Sequence, residues 1–107
     1  MASRLTLLTG LSALFLASPA FAEGDFTLEN KTGYTITAVY AGPSAENNWG
    51  PNILVEPIPH RQTLEVTLDT TTYGCMWDVR YEFADGDVFE EFEVDICRID
   101  GENYTLE

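Results

Sequence analysis

The sequence predicts an all-β, mainly antiparallel sandwich of about six or seven strands, immunoglobulin-like or related, behind an N-terminal export signal. Two observations carry this reading. Apolar and polar residues alternate with a period of two along most of the chain after Glu23. Between the alternating runs stand clusters of Gly, Pro, Asn and Asp, the residues that turn a chain.

The export signal comes first. Arg4 gives a positive start, and Leu5 to Ala17 is an apolar run too short to span a bilayer comfortably. Ser18-Pro19 ends the run, and Ala20-Phe21-Ala22 reads as a small-x-small cleavage site. A single arginine instead of a twin pair points to the general secretory route. Cleavage after Ala22 takes 22 residues from 107 and leaves 85, enough for one domain, residues 23–107. With no lipobox cysteine and no basic stop-transfer flank, the expectation is a periplasmic or secreted protein without a membrane anchor.

The domain then reads element by element. Phe26 and Leu28 alternate with Thr27 and Glu29, and Asn30-Lys31-Thr32-Gly33 reads as a turn. Tyr34, Ile36, Ala38 and Tyr40 alternate with Thr35, Thr37 and Val39, a second strand. Gly42 to Pro51 is a loop of turn formers. Asn52 to Val55 has room for a short strand or one helical turn, and Pro57 and Pro59 exclude a central strand after it. Leu64, Val66 and Leu68 form the next alternating run, followed by a polar connection over Asp69 to Gly74.

The strongest element is a hairpin. Cys75, Trp77, Val79, Tyr81 and Phe83 share one face, and Phe92, Val94 and Ile96 share one face of the return strand. Asp85-Gly86 suits a two-residue type I′ loop. That loop sets Val79 against Phe92, Trp77 against Val94 and Cys75 against Ile96, which leaves Cys97 on the wrong face for a bond to Cys75. Either a bulge shifts the register, or Cys97 lies past the strand end and turns inward. Tyr104-Thr105-Leu106 closes the fold as a last short strand.

Cys75 and Cys97 are the only cysteines. In an oxidising compartment a disulfide is their natural pairing, and a two-thiolate metal site lacks partners because His60 is the only histidine. Closing that loop stabilises by about 3 kcal/mol in the chain-entropy account.

Several stretches resemble a family of small exported bacterial proteins of unknown function. They are Phe26-x-Leu28-x-Asn30-x-Thr32-Gly33-x-x-Ile36-x-x-Val39-Tyr40, the Ser44 to Trp49-Gly50 loop, and Cys75-x-Trp77-Asp78-x-Arg80 running to Asp85-Gly86. The resemblance implies a fold and an export route, and it brings no catalytic residues. A β domain of this size has no room for a large helical oligomer's shared active site, such as that of an argininosuccinate lyase.

Charge narrows the function classes. The whole chain carries a formal −13, and loss of Arg4 with all 18 acidic residues retained makes −14. Such a surface repels nucleic acid and anionic lipid and favours basic proteins or cations. No cofactor or metal motif is present, and no catalytic set is expected. A Ser44–His60–carboxylate triad exists only on paper, and the carboxylates form runs such as Glu90-Glu91 instead of an opposed pair.

Asp85, Asp87 and Glu90 are candidates for weak cation binding, although Asp85-Gly86 is explained by turn geometry. Asp78 and Arg80 share a face on which Glu91 or Glu93 is expected to complete a charge ladder. Trp49 is expected to fold back as a plug at one end of the sandwich. The rival reading sets Trp49 with Asn47 and Asn48 as a surface for a sugar ring or protein partner. The expected role is a cell-envelope binding or accessory module. The alternatives are an inhibitor of a basic secreted enzyme such as a lysozyme and, behind it, a small hydrolase.

Overall fold

Alternation along the chain is realised as six strands in a computed structural model that describes residues 24–107. The expected signal peptide and its cleavage site lie outside the described residues. In chain order the strands are β1 Gly24–Asn30, β2 Ile36–Pro43, β3 Thr63–Leu68, β4 Met76–Phe83, β5 Val88–Asp95 and β6 Asn103–Leu106. They form two three-stranded sheets, ordered β3-β1-β6 and β2-β4-β5. Every pairing is antiparallel except that of β1 with β6, which is parallel.

The apolar faces of the two sheets meet in one core. Phe26, Leu28, Val66, Leu68 and Leu106 come from the first sheet; Ile36, Val39, Ala41, Trp77, Val79 and Tyr81 come from the second. Each large side chain so buried contributes about 1.5–3 kcal/mol relative to exposure. The result is the small β-sandwich that the alternation predicts.

Three local departures from ideal ladders decide which residues reach that core. In β2 the register shifts between Ile36 and Ala38. The extra residue turns Val39 inward opposite Tyr81 and sends Tyr40 to the outer face opposite Arg80. Strict alternation had Val39 and Tyr40 the other way round.

The hairpin turn is the second departure. It is a three-residue loop instead of two: the Phe83 N–H donates to the Asp87 carbonyl and the Gly86 N–H to the Phe83 carbonyl, both at 2.9 Å. Gly86, at φ +93°, supplies the left-handed conformation that this loop needs. Tyr81 therefore faces Phe89 and Val79 faces Glu91, one residue short of the expected register.

A bulge opposite Asp78 is the third. It restores the expected pairing, so that Trp77 faces Val94 and the Ile96 N–H donates to the Cys75 carbonyl at 2.8 Å. Phe92 and Glu93 share the bulge, with Glu93 at φ 56°. Two expectations change with it. Phe92 leaves the core face and is 61% exposed, while Glu91 takes a place on the core face. Cys97 lies just past the end of β5, and its bond to Cys75 spans a Cα–Cα distance of 5.2 Å.

Other segments frame the sandwich. Asp69 to Gly74 holds a short helix, α1 Thr70–Tyr73, whose first turn is capped by Asp69 Oδ1 accepting from the Thr72 N–H at 3.0 Å. Between β2 and β3 the chain forms no strand or helix over Asn52 to Val55. It touches β2 at two isolated bridges, Tyr40 with Asn52 and Ile36 with Ile58.

Asn30 is fully buried, and its amide joins three segments. Nδ2 donates to the carbonyls of Tyr34 at 2.7 Å and Ile58 at 2.8 Å, and Oδ1 accepts from the Thr32 N–H at 3.0 Å and the Thr32 hydroxyl at 2.7 Å.

Candidate functional site

The loop after β2 is shaped by close backbone approach. A Cβ on Gly42 would overlap the carbonyl oxygen of Asn48, so only glycine lets the loop fold back this tightly. The return is sealed by the Gly50 N–H donating to the Ala41 carbonyl at 3.0 Å. A single 3-10 turn, Ser44–Glu46, carries the chain across, and Asn47 follows at φ 57°.

Asp78 latches this loop to the hairpin. Its Oδ1 accepts from the Ser44 hydroxyl at 2.6 Å and from the Glu93 N–H, in the bulge of β5, at 3.0 Å. One carboxylate oxygen thus satisfies both the loop and the bulge, and it brings Trp49 beside Phe92, with ring centroids 6.2 Å apart.

Trp49 stands as a wall and is not the expected plug, being 37% exposed. On one side Asn47, Asn48, Trp49, Asp78 and Phe92 line a hollow of about 110 Å³. On the other side Pro43, Glu46, Pro51, Tyr73 and Trp77 join Trp49 around a hollow of about 300 Å³. The Tyr73 and Trp77 rings meet edge to face at 6.2 Å, and the indole N–H of Trp77 donates to the Gly74 carbonyl at 2.9 Å. Flat apolar rings edged by amides and carboxylates are suited to holding a ligand.

A second polar cluster lies between the sheets. Because Glu91 faces the core side, its carboxylate meets the Tyr104 hydroxyl at 3.0 Å (Oε1) and 2.9 Å (Oε2), and the Tyr81 hydroxyl at 3.3 Å (Oε1). Burial, followed by the neighbouring carboxylate, pushes the Tyr104 phenol up to about 12. Burial raises Tyr81 as well, with the charge of Glu91 adding to it. Both oxygens of Glu91 are engaged by Tyr104, so the cluster reads as a joint between sheets.

Other residues singled out in the sequence are placed apart. Ser44 is bonded to Asp78, whereas His60 Nδ1 accepts from the Gly33 N–H at 3.0 Å, so no triad forms between them. Arg80 pairs with Glu90 at 2.6 Å and Glu82 at 3.2 Å, so Glu90, and neither Glu91 nor Glu93, completes the ladder. Asp85 Oδ1 accepts from the Asp87 N–H at 3.0 Å as a turn contact. Asp85, Asp87 and Glu90 do not gather into a metal-sized cluster among the described residues, where only Cys75, Asp95 and Cys97 come that close. The two sulfurs of that group are bonded to each other and offer no thiolate.

Phe92 and Tyr73 are site residues that alternation alone misses. Phe92 is assigned to the core unless the bulge is foreseen, and Tyr73 is placed by α1, which it ends and whose signal is Asp69 three residues before Thr72.

No family model and no curated protein sequence matches the chain. Among solved structures it is similar to an NMR structure of a protein from Eubacterium rectale. That likeness has a TM-score of 0.53 and 13% sequence identity, over 83% of this chain and 79% of that one. At this identity the likeness speaks to the fold alone.

Proposed function

We propose that the protein is an exported, non-catalytic binding module of the cell envelope, one of a class of small exported bacterial proteins, with its ligand surface at the Trp49 end of the sandwich. The observation that carries the reading is the half-exposed Trp49 ring standing between two hollows lined by Asn47, Asn48, Phe92 and Tyr73. An indole held on a tightly folded loop presents a large apolar face with little conformational entropy to lose on binding. The disulfide suits an oxidising compartment, and no helix of the described residues is long and apolar enough to cross a membrane. Within that compartment, the Ala20-Phe21-Ala22 site supports secretory export and release into the periplasm or beyond.

The test is retention of the purified domain on isolated envelope material. Trp49→Ala should lower retention by roughly tenfold or more, as expected for a central aromatic anchor. Equal retention of wild type and variant would remove the site from consideration.

A second reading, inhibition of a basic secreted enzyme such as a lysozyme, is supported by the imbalance of 18 acidic residues against five Lys and Arg. It predicts inhibition of a basic lysozyme that weakens steeply between low and high salt. A salt-insensitive effect, or none, counts against it.

A further inference from the structure

The free edge of β5 differs from the other sheet edges. Among the described residues β5 is hydrogen-bonded to β4 on one side and to no strand on the other. The opposite edge of the same sheet, β2, is covered by the bridges from Asn52 and Ile58. On β5, Val88 is 46% and Phe89 45% exposed, with Phe92 beyond them. Exposed apolar side chains on an unpaired edge are what monomeric sandwiches ordinarily avoid.

The charge on this edge says what fits it. β5 carries Glu90, Glu91, Glu93 and Asp95 and no cation. Arg80 neutralises Glu90, and the tyrosines hold Glu91. Glu93 and Asp95, together with Asp87 just before the strand, have no ion-pair partner among the described residues. A second copy of this strand would set like charges against one another.

We propose that the outer edge of β5 is a strand-addition site for an extended, cationic segment of a partner protein in which Lys or Arg alternates with apolar residues. The pattern of the hairpin defines how much of the edge is open. Phe83 and Asp87 form a hydrogen-bonded pair, so Phe89 and Glu91 point their backbone groups toward β4, and Val88 and Glu90 point theirs outward. At Glu93 the backbone N–H is turned inward onto Asp78, which ends the ladder. The added segment therefore pairs along Val88 to Glu91. Phe89 lies on the Tyr81 face and Val88 on the opposite one, so the apolar side chains of the segment meet Phe89 on the first face, while its cations lie along the second, their stems over Val88 and their charges toward Glu93 and Asp95. This inference rests on the reading of the domain as a binding module, but on a different element from the Trp49 loop.

The probe is the end-capped peptide Lys-Val-Lys-Phe-Lys-Val-Lys, titrated into the disulfide-bonded domain at low salt while backbone amide exchange is followed by NMR. Binding should slow exchange at the Val88 and Glu90 amides. N-methylation of alternate peptide amides, which removes backbone donors and keeps every side chain, should weaken binding by about tenfold or more. The same peptide with Glu in place of Lys should not bind. The double variant Glu93→Gln with Asp95→Asn keeps the shape of the edge and should also lower affinity. Absence of binding, equal binding of the N-methylated peptide, or protection elsewhere than β5 would each overturn the proposal. Trp49→Ala should leave protection of Val88 and Glu90 in place, so this site and the Trp49 site can fail separately.

Discussion

The Tyr104 hydroxyl of β6 lies within 3.0 Å of both oxygens of Glu91 in β5, and so ties the edge strand of one sheet to the edge strand of the other. It does so because the three-residue turn puts Glu91 on the core face, opposite Val79. An ionised carboxylate there must have donors, and two tyrosine hydroxyls supply them.

Alkaline pH should loosen this joint. The Tyr104 phenol is raised from its ordinary 10.0 to about 12, and Tyr81 is raised too, so the folded state holds these protons more tightly than the unfolded chain does. The Tyr104 contribution to stability is whole below pH 10 and is lost as pH rises through about 12, while that of Tyr81 persists to higher pH. Urea midpoints measured across that window should fall, and a flat profile would contradict the assignment.

Substitution at Glu91 separates charge from hydrogen bonding. Glu91→Gln keeps an acceptor and should fold, while removing the charge should move Tyr104 ionisation down from about 12. Glu91→Ala leaves two inward hydroxyls without their acceptor and should cost about 1–3 kcal/mol. Absorbance titration of the tyrosines and denaturant unfolding read the two effects. A Glu91→Ala protein as stable as wild type would show that the joint carries no stability.

Asn30→Ala should be among the most damaging single substitutions. It deletes all four side-chain hydrogen bonds of a fully buried amide, leaving the Ile58 carbonyl with the Ile36 N–H alone and the Tyr34 carbonyl with the Thr32 hydroxyl alone. The expected loss is about 2–4 kcal/mol, since each of the lost hydrogen bonds contributes about 0.5–1.5 kcal/mol. Asn30→Asp keeps the shape and the Thr32 contacts but loses the two donors, and should lie between Ala and wild type. Thermal melts of the three proteins order them.

Loss of the disulfide should cost about 2–4 kcal/mol, a large share of the stability of a small domain. The bond ties the start of β4 to the segment just after β5, at the open end of the hairpin, where fraying would begin. The Cys75→Ser, Cys97→Ser double variant avoids a lone thiol. Its melting temperature should drop, and amide exchange should rise first near Met76 and Asp95. An unchanged melting temperature would defeat the claim.

Side-chain alternation determined the sandwich and most of its core, and the cysteine count determined the partnership of Cys75 with Cys97. Those features follow from a period of two and an even cysteine count, both of which are local. Trp77, Val79 and Tyr81 are buried as their alternation requires, and Trp77 faces Val94 as the two-residue loop would place it. Only the tertiary structure decided which way Val39, Glu91 and Phe92 point. Each of them follows a single extra residue, at the β2 shift, at the turn or in the β5 bulge, and one residue reverses every side chain downstream until another corrects it. The bulge is held by Asp78, whose Oδ1 accepts from both the Ser44 hydroxyl of the distant loop and the Glu93 N–H. That interaction joins residues far apart in the chain, so no local pattern could reveal it, and it is what moves Phe92 from the core to the side of Trp49.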